Sequence, residues 1–233
     1  VDNASVTVPS YISYYIIDKE IGVLENFMPR TTCTPGGIFA SPVIAPNGDT
    51  IISWFKTFDT WELEDYCDTT CTDKTTWRLG LGRCLPLTSE DIYSTPAMIE
   101  DNSFFAVSGP NVLRIMPDGA NYYSVATLGD RSESSPAVDG QKNVFLGSNG
   151  GYFYALCADC PQTPKLWQYP GEGEEPLQIV NVSGTKTIAS IVSSPAIGDD
   201  IRHSVYVGAS DGSVYAFYDG VRIAGKVTEE STG

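Results

Sequence analysis

The chain has 233 residues, of which 42% are hydrophobic, and its formal net charge at pH 7 is −15. This composition supports a buried core and excludes a mostly disordered chain, which would need far lower hydrophobicity. The acidic balance argues against a nucleic-acid partner, and no apolar run approaches the roughly 20 residues of a membrane helix, so we expect no membrane insertion.

The N-terminal segment predicts the last strands of an incomplete repeat. The sequence starts at Val1 without a basic region followed by an apolar one, so we interpret it as a processed or truncated product. Residues 11–17 and 23–25 are rich in tyrosine, isoleucine and valine, which is typical of strands, and a turn separates them. We therefore expect a partial N-terminal blade over residues 1–35.

Four later segments repeat one pattern: a small residue, a proline, a small or apolar residue, an apolar strand, a glycine turn and an aromatic strand. The anchoring prolines are Pro42, Pro96, Pro136 and Pro195. They lie about 40 to 60 residues apart, which is typical of propeller blades with four short strands each. The two clearest copies begin with the identical tetrapeptides Ser134–Ala137 and Ser193–Ala196.

Each repeat also predicts its own strands. In the last copy, Val205–Val207 and Val214–Phe217 are β-branched and aromatic, with a Ser-Asp-Gly turn between them. Trp77 and Trp167 fall in the expected fourth strands of two units, where a large ring can pack between neighbouring blades. No stretch shows the 3.6-residue periodicity of a helix.

These motifs resemble the quinoprotein-type (PQQ-like) β-propeller repeat, over roughly residues 36–228. The resemblance implies an all-β fold, a β-propeller of four-stranded antiparallel blades with about four recognisable repeats plus the partial N-terminal blade. The whole chain, 1–233, is expected to be a single propeller or propeller segment. The predicted divisions are 1–35 for the partial blade, 36–88, 89–130, 131–189 and 190–228 for blades 1 to 4, and 229–233 for a tail.

The number of blades in a closed ring stays open at this point. The chain could close alone as a small ring, belong to a longer polypeptide, or have its open edges completed by another copy. Unpaired strand edges attract other strands, which favours the last two alternatives.

The six cysteines predict three disulfides and an oxidising compartment. Cys67 with Cys71 and Cys157 with Cys160 fall at equivalent places, between the third strand and the tryptophan-bearing fourth strand, so each pair should close a local loop. Cys33 and Cys84 each precede a first strand in successive blades, so they form the third predicted bond, which would stabilise by about 4 kcal/mol in the chain-entropy model. A zinc site built from the short pairs, and a redox-active Cys157–Cys160 motif, are the alternatives.

Two surface features are candidate functional sites. Asn3 and Asn181 begin N-glycosylation sequons, which are used in eukaryotic secreted proteins. Trp54, Phe55, Phe58 and Trp61 form a dense aromatic cluster near a hairpin tip. Packing between blades is the alternative to an exposed interface or a carbohydrate platform.

Other polar clusters favour ordinary surface roles. The acidic run from Glu62 to Asp73 lacks a calcium-loop motif, so we interpret it as a solvated face. His203 is the single histidine, and no Gly-x-Ser-x-Gly motif accompanies it. No residue can be matched to the catalytic set of the quinone-dependent enzymes, so we expect no enzymatic activity, no metal and no cofactor.

The sequence therefore predicts a non-enzymatic, secreted or cell-surface propeller that acts as a structural or interaction scaffold. Its open blade edges could pair with those of other copies, so self-assembly is a further expectation. Its expected partner is a second copy of itself or another extracellular protein or glycan. The alternatives are a glycan- or protein-binding module that uses the aromatic cluster, and a fragment of a quinone-dependent dehydrogenase.

Overall fold

The computed structural model describes residues 13–17, 24–29, 40–44, 46, 50–53, 58–61, 92–117, 121–199 and 204–218, with side chains described in 40–44, 46 and from 92 onwards. The chain divides into two compact units, Val1–Gly37 and Ile38–Gly233. The partial N-terminal blade was predicted in the first of these units, and the four repeats in the second.

The described residues of the first unit form one antiparallel pair, β1 (Ser13–Ile17) and β2 (Leu24–Pro29). Ser13 lies opposite Pro29 and Tyr15 opposite Phe27, and the register shifts at Ile16/Ile17. β1 lies within the predicted segment 11–17, whereas β2 begins within the predicted segment 23–25 and extends beyond it to Pro29.

The described residues of the second unit form five antiparallel sheets. Four of these have three or four strands in chain order, and we name them blades 1 to 4 after the predicted repeats. Blade 1 has β3 (Val43–Ile44), β4 (Thr50–Ser53) and β5 (Phe58–Trp61). Blade 2 has β6 (Ala97–Met98), β7 (Phe104–Ser108), β8 (Asn111–Ile115) and β9 (Tyr122–Thr127). Blade 3 has β10 (Ala137–Val138), β11 (Asn143–Gly147), β12 (Phe153–Cys157) and β13 (Lys165–Tyr169).

Blade 4 follows a separate hairpin. The hairpin, which we name the insert hairpin, consists of β14 (Gln178–Val180) and β15 (Lys186–Ile188). Blade 4 then has β16 (Ala196–Ile197), β17 (Val205–Gly208) and β18 (Val214–Phe217). The described residues contain strands and turns and no helix, and therefore no helix that could cross a membrane.

The hydrophobic core lies between consecutive blades. Successive side chains of a strand point to opposite faces of the sheet, so each blade has one face towards the preceding blade and one towards the following blade. We call these the backward and forward faces. Phe105 and Val107 on the forward face of blade 2 share a buried cluster with Val144 and Leu146 on the backward face of blade 3. The core is therefore a series of interfaces between sheets.

The same arrangement recurs on both sides of that interface. The backward face of blade 2 buries Phe104 and Ile115, with Val43 of blade 1 against them. The forward face of blade 3 buries Phe145 and Phe153 against Val205 and Phe217 of blade 4 and their neighbours. The repeat of apolar positions read from the sequence thus places one layer of side chains between each pair of blades.

Hydroxyl groups before the anchoring prolines connect the first strands. The backbone N–H of Ser41 donates to Oγ1 of Thr95 at 3.0 Å, and the N–H of Thr95 donates to Oγ of Ser135 at 2.9 Å. Each of these residues immediately precedes its anchoring proline. The small polar residue of the repeat therefore has a physical role, which is to satisfy a backbone donor of the preceding blade.

The segment that enters blade 4 passes closely over blade 3. The N–H of Ile191 donates to the carbonyl of Ser148, and the N–H of Ser210 donates to the carbonyl of Ser190. A Cβ atom at Gly147 would lie 2.2 Å from both Cγ2 and the carbonyl oxygen of Ile191. Only glycine allows this approach, which explains the glycine at the end of β11.

Candidate interaction surfaces

A buried arginine holds together the outer parts of blades 2 and 3. Arg114 lies on the forward face of β8, and its side chain is 7% exposed. Its Nη2 is 2.7 Å from Oδ2 of Asp101, and its Nη1 is 3.0 Å from Oδ1 of Asp159. Nη1 also donates to the hydroxyl of Tyr123, and Nε donates to Oγ of Ser103. We call these five residues the Arg114 cluster.

The Arg114 cluster supplies what a buried guanidinium needs to be stable. A guanidinium taken out of water needs carboxylates and further hydrogen bonds, and here it has both. Burial alone would raise the pKa of Asp101, but the hydrogen bonds from Ser103 and the charge of Arg114 outweigh it and hold that pKa below its ordinary value. The cluster has the chemistry of a structural contact between blades.

The predicted Cys157–Cys160 disulfide is present, and it shapes the loop that supplies Asp159. Asp159 lies inside this four-residue loop and also contacts Nζ of Lys142 at 3.4 Å. The bond therefore holds a carboxylate where it meets Arg114 of the neighbouring blade. Cys33, Cys67, Cys71 and Cys84 lie outside the described residues, so their two predicted bonds stay predictions.

Aromatic rings fill the outer part of the interface between blades 3 and 4. Trp167 on β13 lies 5.3 Å from Phe217 and 5.9 Å from Phe153, measured between ring centroids. The prediction that a fourth-strand tryptophan packs between blades is thus confirmed for Trp167. Tyr215 donates its hydroxyl to Oδ2 of Asp211 at 2.8 Å, and burial together with this carboxylate raises its pKa.

The forward face of blade 4 is exposed, in contrast to the equivalent faces of blades 2 and 3. Tyr206 is 41% exposed and Val214 is 43% exposed. By strand register, Tyr206 corresponds to Phe145, because both lie opposite the alanine that follows the anchoring proline. Val214 corresponds to Phe153, since each pairs with the glycine that ends the preceding strand. Phe145 and Phe153 are buried, so the same positions are covered in blade 3 and open in blade 4.

The backward face of blade 1 also presents an exposed apolar residue. Ile44 is 70% exposed. By register it corresponds to Met98, Val138 and Ile197, which pack on the backward faces of blades 2, 3 and 4. Within the described part of the second unit, the first and last blades therefore each expose apolar side chains where an adjoining blade would lie.

The insert hairpin carries one of the two predicted glycosylation sequons. Asn181 follows β14, and Val180, Asn181 and Val182 are all exposed. Oδ1 of Asn181 accepts hydrogen bonds from the N–H and hydroxyl of Ser183, at 3.0 and 2.6 Å, and from the N–H of Thr185 at 2.8 Å. Asn3 lies outside the described residues.

The predicted aromatic cluster is described only in part. Phe58 and Trp61 lie at the two ends of β5, opposite Ser53 and Thr50. Trp54 and Phe55 lie outside the described residues, and the side chains of Phe58 and Trp61 are not described. The four residues as one binding surface therefore stay a prediction.

The remaining polar candidates from the sequence lie mostly outside the described residues. His203 and the acidic run from Glu62 to Asp73 are outside the described residues. Among the side chains that the structure does describe, no three His, Cys, Asp or Glu groups are arranged to hold a metal ion. The sequence analysis did not single out Arg114 or Tyr206. A charged residue within an apolar strand, and a tyrosine at a position otherwise taken by phenylalanine, were the available signals.

Comparison with solved structures identifies the fold. BamB from Moraxella catarrhalis matches 84% of this chain with a TM-score of 0.52 at 13% identity. The extracellular domain of a protein described as a hybrid two-component system, from B. thetaiotaomicron, matches 98% of the chain with a TM-score of 0.54, also at 13% identity. The chain has a propeller-type repeat fold.

The matched structures are longer than this chain. The match covers 53% of BamB and 27% of the B. thetaiotaomicron domain, so the chain spans about half of the former and a quarter of the latter. Neither a protein-family model nor a curated protein matches the sequence.

Proposed function

We propose that this chain is a non-enzymatic, secreted or cell-surface scaffold whose propeller blades bind another protein surface. The observation that carries the proposal is the open forward face of blade 4, where Tyr206 and Val214 expose apolar area at positions that are buried in blade 3. Apolar area exposed to water costs free energy unless another surface covers it. This cost is our reason for proposing that a protein partner binds this face.

Two further observations support the compartment and the repeat family. The Cys157–Cys160 disulfide fits an oxidising environment, and one matched structure is an extracellular domain. The Ser-Ser-Pro-Ala anchors, whose neighbouring hydroxyls join successive blades, support a PQQ-like repeat. These repeats then serve as a rigid support, because the charged side chains of the Arg114 cluster join one blade to the next.

The interaction is tested by site-specific photo-crosslinking. A benzophenone amino acid is placed at position 206 in one sample and at position 122 in another, since Tyr122 is similarly exposed but lies on outer strand β9. The secreted or surface-displayed protein is irradiated, and crosslinked products are identified by mass spectrometry. We expect a discrete protein product from position 206 and none from position 122. No product from position 206, or equal products from both, would contradict the proposal.

The absence of quinone-dependent catalysis is tested separately. Purified protein is incubated with pyrroloquinoline quinone and Ca²⁺, and both bound quinone absorbance and dye reduction with alcohol substrates are measured. We expect neither signal to exceed that of the buffer. Saturable quinone binding together with dye reduction would assign the chain to the enzymatic side of the repeat family instead.

A further inference from the structure

We infer that an N-linked glycan on Asn181 is a structural part of the insert hairpin, because its first sugar packs against Ile179 and Thr187 on one face of that hairpin. The inference uses only the secreted compartment of the proposed function, since glycosylation of this kind takes place during secretion. It does not involve the partner proposed for blade 4. It gives the sugar a role in the stability of the hairpin, beyond its attachment to an exposed turn.

The insert hairpin is held to the rest of the second unit at its base. There the N–H of Leu177 donates to the carbonyl of Gly151 at 3.1 Å, and the N–H of Ala189 donates to the carbonyl of Leu177 at 2.7 Å. Beyond this base, β14 and β15 form a two-stranded sheet in which no strand residue is buried. A two-stranded hairpin is at best marginally stable in water, so a group that covers one of its faces should stabilise it.

The turn at the tip of the hairpin fixes the position of Asn181. The N–H of Asn181 donates to the carbonyl of Thr185 at 3.0 Å, and the N–H of Gly184 donates to the carbonyl of Asn181 at 2.9 Å. Gly184 has a φ of 82°, in the left-handed region that glycine adopts without strain. Residues 182–184 therefore close the hairpin as a three-residue loop, and Asn181 lies at the start of the turn.

The hydrogen bonds of the Asn181 side chain identify the atom that faces away from the turn. Its contacts with Ser183 and Thr185 include two backbone N–H groups, which can only donate. The atom that receives them is therefore the carbonyl oxygen Oδ1, and Nδ2 on the other side of the amide group is directed away from these donors. Nδ2 is the atom that carries an N-linked glycan, and Asn181 is exposed.

Glycosylation at Nδ2 leaves this turn intact. The sugar comes from a lipid-linked oligosaccharide diphosphate: a bond forms between Nδ2 and C1 of the first N-acetylglucosamine, the bond from C1 to the diphosphate oxygen breaks, and the lipid diphosphate leaves with the electron pair. Nδ2 gives up one of its two protons to a base of the transferring enzyme. Oδ1 takes no part in these steps, so it keeps its three hydrogen bonds in the modified chain.

Strand register places Ile179 and Thr187 next to the attachment site. Thr187 lies opposite Ile179, and Thr185 lies opposite Asn181 across the hydrogen bond that closes the turn. Because alternate residues of a strand share a face, these four residues form one face of the hairpin, whereas Ile188 belongs to the other. Neighbouring positions on one face are about 5 to 8 Å apart, within reach of a sugar ring on Nδ2. The C–H groups of the first sugar therefore cover Ile179, which is half-buried, and Thr187, which is exposed.

The test compares one chain with and without its sugar by hydrogen exchange. The chain carries Asn3→Gln, so that Asn181 begins its single sequon. One sample is secreted by a eukaryotic host with high-mannose glycans and trimmed by endoglycosidase H to a single N-acetylglucosamine, and the other is made in an oxidising bacterial periplasm without glycosylation. We expect the amides of β14 and β15 to exchange at least about threefold more slowly in the single-sugar sample, measured by mass spectrometry of the peptide that spans them.

Two matched variants separate packing from a general effect of the sugar. Ile179→Thr removes the apolar contact on the face of Asn181, and Ile188→Thr makes the same chemical change on the opposite face. Both keep a β-branched residue, which favours a strand. We expect the ratio of exchange rates between unmodified and single-sugar samples to fall to about 1 in Ile179→Thr and to stay about threefold or more in Ile188→Thr. Each ratio compares two samples of one variant, so a direct effect of the substitution on the hairpin cancels.

Three results would overturn the inference: equal exchange in the two Asn3→Gln samples, equal ratios in the two threonine variants, or a secreted chain whose Asn181 carries no sugar. The crosslinking experiment at position 206 is independent of all three, because blade 4 is unchanged in these samples. A failed crosslink together with the expected exchange ratios would remove the protein partner and keep the role of the glycan, and the reverse pair of results would do the opposite.

Discussion

Arg114 and Asp159 are 45 residues apart in the sequence, and their side chains meet at 3.0 Å across two blades. The arginine comes from a strand interior of blade 2, and the aspartate comes from a disulfide loop of blade 3. Because the guanidinium is buried and also bonded to Asp101, Ser103 and Tyr123, its removal would break four hydrogen bonds at once. This contact therefore ties the stability of one blade to the loop of the next.

Replacing the arginine should measure that link. We expect Arg114→Leu to lower the free energy of unfolding by about 2–4 kcal/mol, because charged hydrogen bonds are lost while Asp101 and Asp159 can still turn to solvent. Urea denaturation followed by tryptophan fluorescence measures the change.

Arg131→Leu is the matched control. Arg131 forms an exposed ion pair with Glu133, and such pairs contribute about 0–1 kcal/mol. Equal destabilisation by the two substitutions would show that the Arg114 cluster contributes no more than an ordinary surface pair.

The lowered pKa of Asp101 predicts an acid-sensitive contribution to stability. A carboxyl whose pKa is lower in the folded state than its ordinary value of 3.8 binds fewer protons when folded. Its contribution is therefore complete above about pH 4 and is lost as the pH falls through the folded-state pKa. We expect Asp101→Asn to reduce the loss of stability between pH 4 and 2, measured as urea midpoints at each pH. If Asp101→Asn left the loss of stability between pH 4 and 2 unchanged, carboxyl groups other than Asp101 would cause that loss.

The disulfide should act on the same contact. Loss of a four-residue loop closure corresponds to about 2 kcal/mol in the chain-entropy model, so Cys157→Ser/Cys160→Ser should reduce stability by about that amount. It should also weaken the coupling between Arg114 and Asp159. A double-mutant cycle with Arg114→Leu and Asp159→Asn, measured in the native and the Ser/Ser backgrounds, gives this coupling. Identical coupling in both backgrounds would mean that the loop keeps its shape without the bond.

The blades were predictable from the repeat, because its prolines and glycines mark the turns and its alternating apolar residues mark the two faces of each strand. Val205–Val207, Val214–Phe217 and Trp167 were placed correctly for this reason. The Arg114–Asp159 contact was not predictable, since it depends on the distance between a strand of blade 2 and a loop of blade 3. The exposure of Tyr206 was hidden for a similar reason: the sequence pattern assigns a residue to a face, but only the arrangement of neighbouring blades shows whether that face is covered.

The close approach of Ile191 to blade 3 predicts a strict requirement for glycine. Gly147→Ala would place a methyl group 2.2 Å from the Ile191 side chain and carbonyl, so the connector must shift. We expect a loss of roughly 1–3 kcal/mol or more, measured by thermal and urea unfolding. Gly140→Ala is the control, since a Cβ there meets nothing within 4 Å and should change stability by less than about 1 kcal/mol. Similar behaviour of the two variants would show that the connector moves freely.

The insert hairpin predicts a modified asparagine when the chain passes through a eukaryotic secretory pathway. Asn181 lies on an exposed turn, and the hydroxyl of Ser183 donates to its side-chain carbonyl, so both groups of the sequon are at the surface and next to each other. We expect intact-mass analysis of secreted protein to show a glycan increment that peptide N-glycosidase removes, leaving aspartate at position 181. Asn181→Gln and Ser183→Ala should each abolish that increment, whereas Thr185→Ala, in the same turn but outside the sequon, should retain it. Full-length secreted protein with unmodified Asn181 would contradict this assignment and leave the hairpin free as a protein surface.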